Sequence, residues 1–130
     1  EKNRLRLKIE KLVELNVCRI FIGKTENTQN TKVDIEKINS WAISALEQSG
    51  TPFFPEIETT DRIDYSIFDT CFDITGSTLN KDSSKVSTFA IGPEGGWTAQ
   101  ELSNFRYKFK ISDFSLRTDT AAISAVSLMM

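Results

Sequence analysis

The 130-residue sequence contains no histidine, which removes the commonest general base and the commonest transition-metal ligand together. A Ser-His-Asp hydrolase and a zinc enzyme are disfavoured on that ground. No apolar run approaches the roughly 20 residues that cross a bilayer. The opening EKNRLRLKIEK is charged throughout and differs from the apolar centre of a secretory leader. The expectation is a soluble, cytoplasmic protein with no membrane partner and no metal. Only two cysteines occur, Cys18 in VCRIFI and Cys71 in DTCFDI. Their apolar, β-rich surroundings point to two buried free thiols and not to a disulfide framework. An excess of positive charge is missing too: the formal net charge is −2, which weighs against extensive phosphate contact. The basic residues are uneven, with Lys2, Arg4, Arg6, Lys8 and Lys11 crowded at the start.

What is present suits one folded domain over 1–130, with 39% hydrophobic and 26% charged residues. Residues 3–16 read as an amphipathic helix, with Leu5, Ile9, Leu12 and Val13 on one face. Val17–Ile22 reads as a buried strand and 23–32 as a polar loop. Helical spacing returns over 33–49, with Gly50 as its C-cap and Pro52 and Pro55 forcing an extended connection. Strands are predicted at 67–74, 86–91 and 108–112, with a loop over 75–85. Thr98-x-x-Glu101 is a capping box for a helix over about 99–107, and Thr118 is placed to N-cap a last helix. The chain opens inside one helical pattern and stops at Met129-Met130 inside another, so it reads as a fragment. Strands separated by helices imply an α/β fold with a parallel sheet covered by helices. Ligands in such folds bind at the carboxyl ends of strands, where the 92–96 and 112–118 loops both fall.

Two stretches carry the chemistry. In IGPEGGW (91–97) three glycines follow a strand, permitting positive φ and close approach of backbone groups to a ligand. Such a loop suits a nucleoside edge or a phosphate; alternatively it is a tight turn with no ligand. It is neither a Walker A loop nor GxGxxG. In SLRTDTAA (115–122), Arg117 and Asp119 flank a helix start. They suit either a capped helix with a surface cation or a charged pair at a reaction centre. Gln48 and Ser49 either finish their helix or contact a ligand.

IGPEGGW, Glu101 and LRTDTAA, together with KLVELNV (11–17) and LEQSG (46–50), resemble the ordered motifs of the ribosomal RNA small subunit methyltransferase E family. The resemblance implies a SPOUT fold: an α/β domain with a C-terminal trefoil knot, acting as a homodimer. It implies S-adenosylmethionine among the knot loops, bound by Ile91, Gly92, Pro93, Glu94 and Gly95 and by Ile111, Ser112, Ser115 and Leu116. The reaction implied is methylation of uridine N3 in 16S ribosomal RNA of the small subunit. The family's N-terminal RNA-binding barrel has no counterpart here. Several positions depart from the pattern. Ser112 replaces a loop glycine, Phe114 an arginine, Asp119 a glutamate, Asn16 a glycine and Thr51 an arginine. No Arg-Ser pair follows the first strand. Within that resemblance Arg117 is the candidate anion stabiliser and Asp119 its orienting partner or a proton acceptor through water. The alternatives are a related enzyme acting on another RNA such as transfer RNA, or a module that binds cofactor or RNA without catalysis. A phosphate-handling enzyme is a distant third, because no Lys-Ser/Thr pair accompanies the glycine loop.

Overall fold

The computed structural model describes residues 2–28, 34–50, 53–79, 86–114 and 116–129. The chain runs α1 (Lys2–Glu14), β1 (Arg19–Gly23), α2 (Ile35–Ser49), β2 (Glu56–Thr60) and β3 (Thr70–Thr78). It continues through β4 (Ala90–Ile91), α3 (Ala99–Asn104), β5 (Tyr107–Lys110) and α4 (Thr118–Met129). Every strand pairing among the described residues is parallel, in a two-stranded sheet β1-β2 and a three-stranded sheet β4-β3-β5. The expected α/β class with parallel pairing is present, divided between two sheets.

The first half is built by local signals that agree with one another. On α1, Ile9, Leu12 and Val13 are buried, while the solvent face carries Arg6–Glu10 and Lys11–Glu14 ion pairs at 2.7 and 3.3 Å. The helix stops because Asn16 takes φ +64°. Asn16 N–H donates to Val13 O and Val17 N–H to Leu12 O, a Schellman closure. Asparagine tolerates this left-handed geometry better than other residues with a Cβ, so it stands where the resemblance expects glycine. Asp34 caps α2 by accepting from the Glu36 and Lys37 amides, and Gly50 ends it at φ +68°, as its position predicts. Ile38, Ala42 and Ala45 then present one buried stripe to α1, forming a core with Ile20. Burying Ile38 alone is worth about 1.5–3 kcal/mol of transfer free energy.

Strand β2 was not expected. Its sequence, Glu-Ile-Glu-Thr-Thr, has one apolar residue, because what holds it is the backbone ladder to β1. The Arg19–Glu56 pair at 3.3 Å spans the same register.

In the second half, β3 pairs with β4 through Cys71 and Phe72 and with β5 along its length. The register to β5 shifts between Phe72 and Ser77. There Asp73 accepts from the Thr75 amide and hydroxyl, and the strand resumes to Thr78, past the end set by the sequence pattern. A Cβ on Gly76 would lie 2.6 Å from the Lys108 carbonyl carbon, so this crossing requires glycine. The predicted 86–91 strand is paired only at Ala90–Ile91. Helix α3 has the full Thr98/Glu101 capping box but ends at Asn104, because Phe105 turns into the core at 3% exposure. The amides of Arg106 and Tyr107 then donate to Asp69 O.

Two expectations need correction. Cys71 is buried, but Cys18 is exposed, because it precedes β1 at the rim where the chain leaves α1. Thr118 is the first residue of α4 and not its cap; its hydroxyl donates instead to Gly92 O at 3.2 Å.

Candidate ligand cleft between two loops

The loops after β4 and β5 meet. A cleft of about 250 Å³ is lined by Ile91, Gly92, Pro93, Glu94 and Gly95 on one side. Ile111, Ser112, Phe114 and Leu116 line the other side, and Phe72–Ile74 of β3 with Thr118 of α4 complete it. Eight of the nine positions expected to bind cofactor therefore share one cavity. The ninth, Ser115, lies outside the described residues.

Each wall is braced. Gly96 sits at φ +76° and its amide donates to Pro93 O at 2.8 Å, closing a turn. The indole of Trp97 donates to Phe72 O at 3.2 Å. Gly92 lies beneath that indole, where a Cβ would sit 2.9 Å from the ring. The Thr118 bond to Gly92 O ties the start of α4 to the same loop. Opposite, Ser112 accepts from the Phe114 amide at 3.1 Å, and Lys110 binds Asp113 at 2.7 Å. The lysine's hydrogen bond, and after it its charge, hold the Asp113 carboxyl below its ordinary range. Ser112 thus supports its loop by a side-chain bond, at a position where the resemblance expects glycine.

The rim is apolar and uncovered. Phe114 is 79% exposed and Ile74 49%, with Leu116 also exposed. Exposed large apolar groups around a concave site with convergent backbone polar groups are the usual make-up of a small-molecule pocket.

The glycine loop is also a partition. Behind it a larger cavity of about 850 Å³ lies between β1 and residues 86–91; Ile91–Gly95 and Thr118 line both cavities, whereas Asp119 lines the larger one and not the small cleft. Arg4 and Lys8 of α1 reach this cavity, and Arg4 bonds Glu94 at 3.2 Å. Burial pulls the Lys8 amine below its ordinary pKa, and the negative charges of Asp119 and Glu94 partly restore it. The sequence marks both basic residues only as members of the crowded N-terminal basic run, with nothing to tie them to the glycine loop.

Arg117 and Asp119 are separated in role. Arg117 is exposed, and Asp119 is half-buried. The Asp119 carboxylate accepts from the Thr120 amide at 3.0 Å. Among the described residues no ion pair joins Arg117 to Asp119. Gln48 is exposed at the end of α2, and Ser49 bonds back to Leu46 O at 3.5 Å. Among the described residues no cluster of three or more acidic, cysteine or histidine side chains could hold a metal. No helix there is long and apolar enough to cross a membrane.

These features define an α/β protein with parallel strands whose candidate ligand cleft is made by two loops at strand carboxyl ends. Residues 1–130 match the sequence model of the RNA methyltransferase domain, and the chain belongs to that family. It is 29% identical over 139 residues to ribosomal RNA small subunit methyltransferase E of Aquifex aeolicus (strain VF5), across 94% of this chain and 60% of that protein. The chain spans about 60% of the length of the curated relatives it matches. Its fold is similar to a probable rRNA-methyltransferase from Porphyromonas gingivalis, with TM-score 0.85 and 25% identity, covering 99% of this chain and 62% of that one. It also resembles a candidate methyltransferase from Legionella pneumophila solved with the bound cofactor SAM. There the TM-score is 0.81 and the identity 27%, over 97% of this chain and 60% of that one.

Proposed function

We propose that this protein is an S-adenosylmethionine-dependent methyltransferase that modifies N3 of a uridine in 16S ribosomal RNA. In this reading it works in the cytoplasm as a homodimer, with α4 threaded through a C-terminal trefoil knot. The chain is the catalytic domain, and an N-terminal RNA-binding barrel would lie outside it. The observation that carries the reading is the single cleft shared by the 91–95 and 111–116 loops.

The residues present fit an adenosine-bearing ligand. Apolar Ile91, Ile111 and Leu116 offer faces for a purine, and the glycine loop offers backbone donors and acceptors for its edge. The cleft is slightly smaller than the usual range of about 300–1,000 Å³, so a ligand of this size lies partly over the exposed Phe114 rim. When bound, the cofactor supplies an electrophilic methyl group on a sulfonium.

The chain's own part is positioning and charge. Uracil N3 must lose its proton before or as the methyl arrives, leaving negative charge on the uracil oxygens. Arg117, exposed at the entry to α4, offers its guanidinium to that charge. Asp119, in the first turn of α4, lines the larger cavity behind the glycine loop and not the small cleft, so it acts at a distance, accepting the N3 proton through water or orienting the arginine once RNA is bound. Holding both reactants in line is the larger contribution, because displacement is demanding in geometry. Relatives named for ribosomal RNA methylation support the substrate class.

The test is a pair of measurements on one sample: calorimetric titration with S-adenosylmethionine, and methyl transfer to 16S ribosomal RNA with the product uridines mapped. Arg117→Ala should lower turnover at least about 100-fold and leave cofactor affinity within about threefold. Full activity in that variant removes Arg117 from the mechanism. Methylation of transfer RNA alone would redirect the substrate. A second reading, a module that binds cofactor without catalysis, draws on the unpaired geometry of Arg117 and Asp119 and on the replaced arginine at Phe114. Tight cofactor binding with no transfer to any RNA would select it.

A further inference from the structure

The loop after β1 carries no expected motif, yet it grips the glycine-rich loop from behind. The Asn27 side-chain amide donates to Gly95 O at 3.1 Å and to Gly96 O at 3.0 Å. One residue earlier, the Glu26 amide donates to Glu101 at 3.2 Å. The other oxygen of that buried carboxylate accepts from Thr98 N–H at 2.9 Å. The grip is braced from within, since Thr28 Oγ1 accepts from the Thr25 amide at 2.9 Å and the two hydroxyls lie 2.7 Å apart. Gly95, Gly96 and Glu101 are thus held from one short segment of the other half of the chain. Asn27 lines the larger cavity and not the small cleft, so it cannot touch a ligand held there.

We propose that Asn27 is a positioning residue: its carboxamide fixes the Gly95–Gly96 carbonyls, and so sets the backbone of 92–95 in the shape that receives the cofactor. This rests on the cofactor reading above, but the clamp itself exists without ligand. Two carbonyl oxygens at one NH₂ group require a donor with two hydrogens, which asparagine has and aspartate lacks. A Cβ on Gly95 would meet Asn27 Cβ at 2.9 Å, so the two positions also match in size.

The experiment compares the unmodified protein with Asn27→Ala and Asn27→Asp. It reads S-adenosylmethionine affinity by calorimetry, thermal midpoint, and amide hydrogen exchange of residues 95–98 without ligand. Losing two hydrogen bonds should weaken affinity about tenfold in the alanine variant. The aspartate variant should lose more, because it keeps the shape but turns a carboxylate toward two carbonyls. A role in bulk packing would give the opposite order. Ligand-free exchange at 95–98 should rise about tenfold in both variants, with the thermal midpoint nearly unchanged because Asn27 is exposed. Unchanged affinity and exchange in both variants overturn the proposal. If the unmodified protein binds no S-adenosylmethionine, the cofactor reading fails and exchange alone decides: faster exchange keeps the clamp, equal exchange removes it.

Discussion

The two halves of the molecule arrange their apolar surface differently. Around α1, α2 and β1, seven buried residues form one closed cluster. Around β3, β5 and the glycine loop, Ile74, Phe114 and Leu116 stand exposed at the rim of a cleft. Both halves bury some apolar groups, Phe72 and Phe105 in the second among them, and both leave others exposed, Phe53 and Ile43 in the first. The difference lies in where the exposed groups stand: in the second half they ring a concave site. The loop at 25–28, reaching across to Gly95, Gly96 and Glu101, links the two.

The largest expected effect strikes the helical frame of the first half. Ile38→Ala, at a site 1% exposed, should cost about 2–5 kcal/mol in denaturant unfolding, with cofactor affinity of the remaining folded protein unchanged. A smaller loss would mean that the core is less tightly filled than its burial implies. Gly76→Ala comes next. The added carbon meets β5 backbone at 2.6 Å, so a loss of about 1–3 kcal/mol is expected, with exchange rising along 107–110. Unaltered protection of β5 would refute the close crossing.

The cysteines sharpen the contrast at high pH. Burial pushes the Cys71 thiol from 9.0 up to about 12. Its folded pKa is raised, so its contribution is fully present below pH 9 and is lost as pH rises toward 12. Stability should fall across that window, and Cys71→Ala should flatten the fall. At neutral pH a thiol reagent should label exposed Cys18 rapidly and Cys71 only on unfolding. The smallest effect on stability belongs to Phe114→Ala, within about 0.5 kcal/mol as for other surface changes. The same substitution should weaken S-adenosylmethionine binding severalfold. Loss of stability without loss of affinity would make Phe114 part of the frame.

Legibility followed the range of the signals. The Gly50 cap of α2, the Thr98–Glu101 box and the glycine-rich loop are written in neighbouring residues and were readable; the Asp34 N-cap of α2 was not singled out. The convergence of the 91–95 and 111–116 loops was readable because parallel strands bring their carboxyl ends together. Strand β2 was not, since a backbone ladder with one apolar side chain leaves no periodic trace. Cys18 was misjudged because an apolar neighbourhood in sequence does not place a residue at a strand's rim. Asn27 was invisible for a different reason: its partners lie 68 and 69 residues away, in a stretch whose polarity reads only as loop.

The most direct measurement follows backbone amides by NMR as S-adenosylmethionine is titrated in. Capture by two loops predicts concerted shifts in 91–96 and 110–116, with α1 and α2 silent. Shifts confined to one loop, or centred on the helical frame, would contradict it.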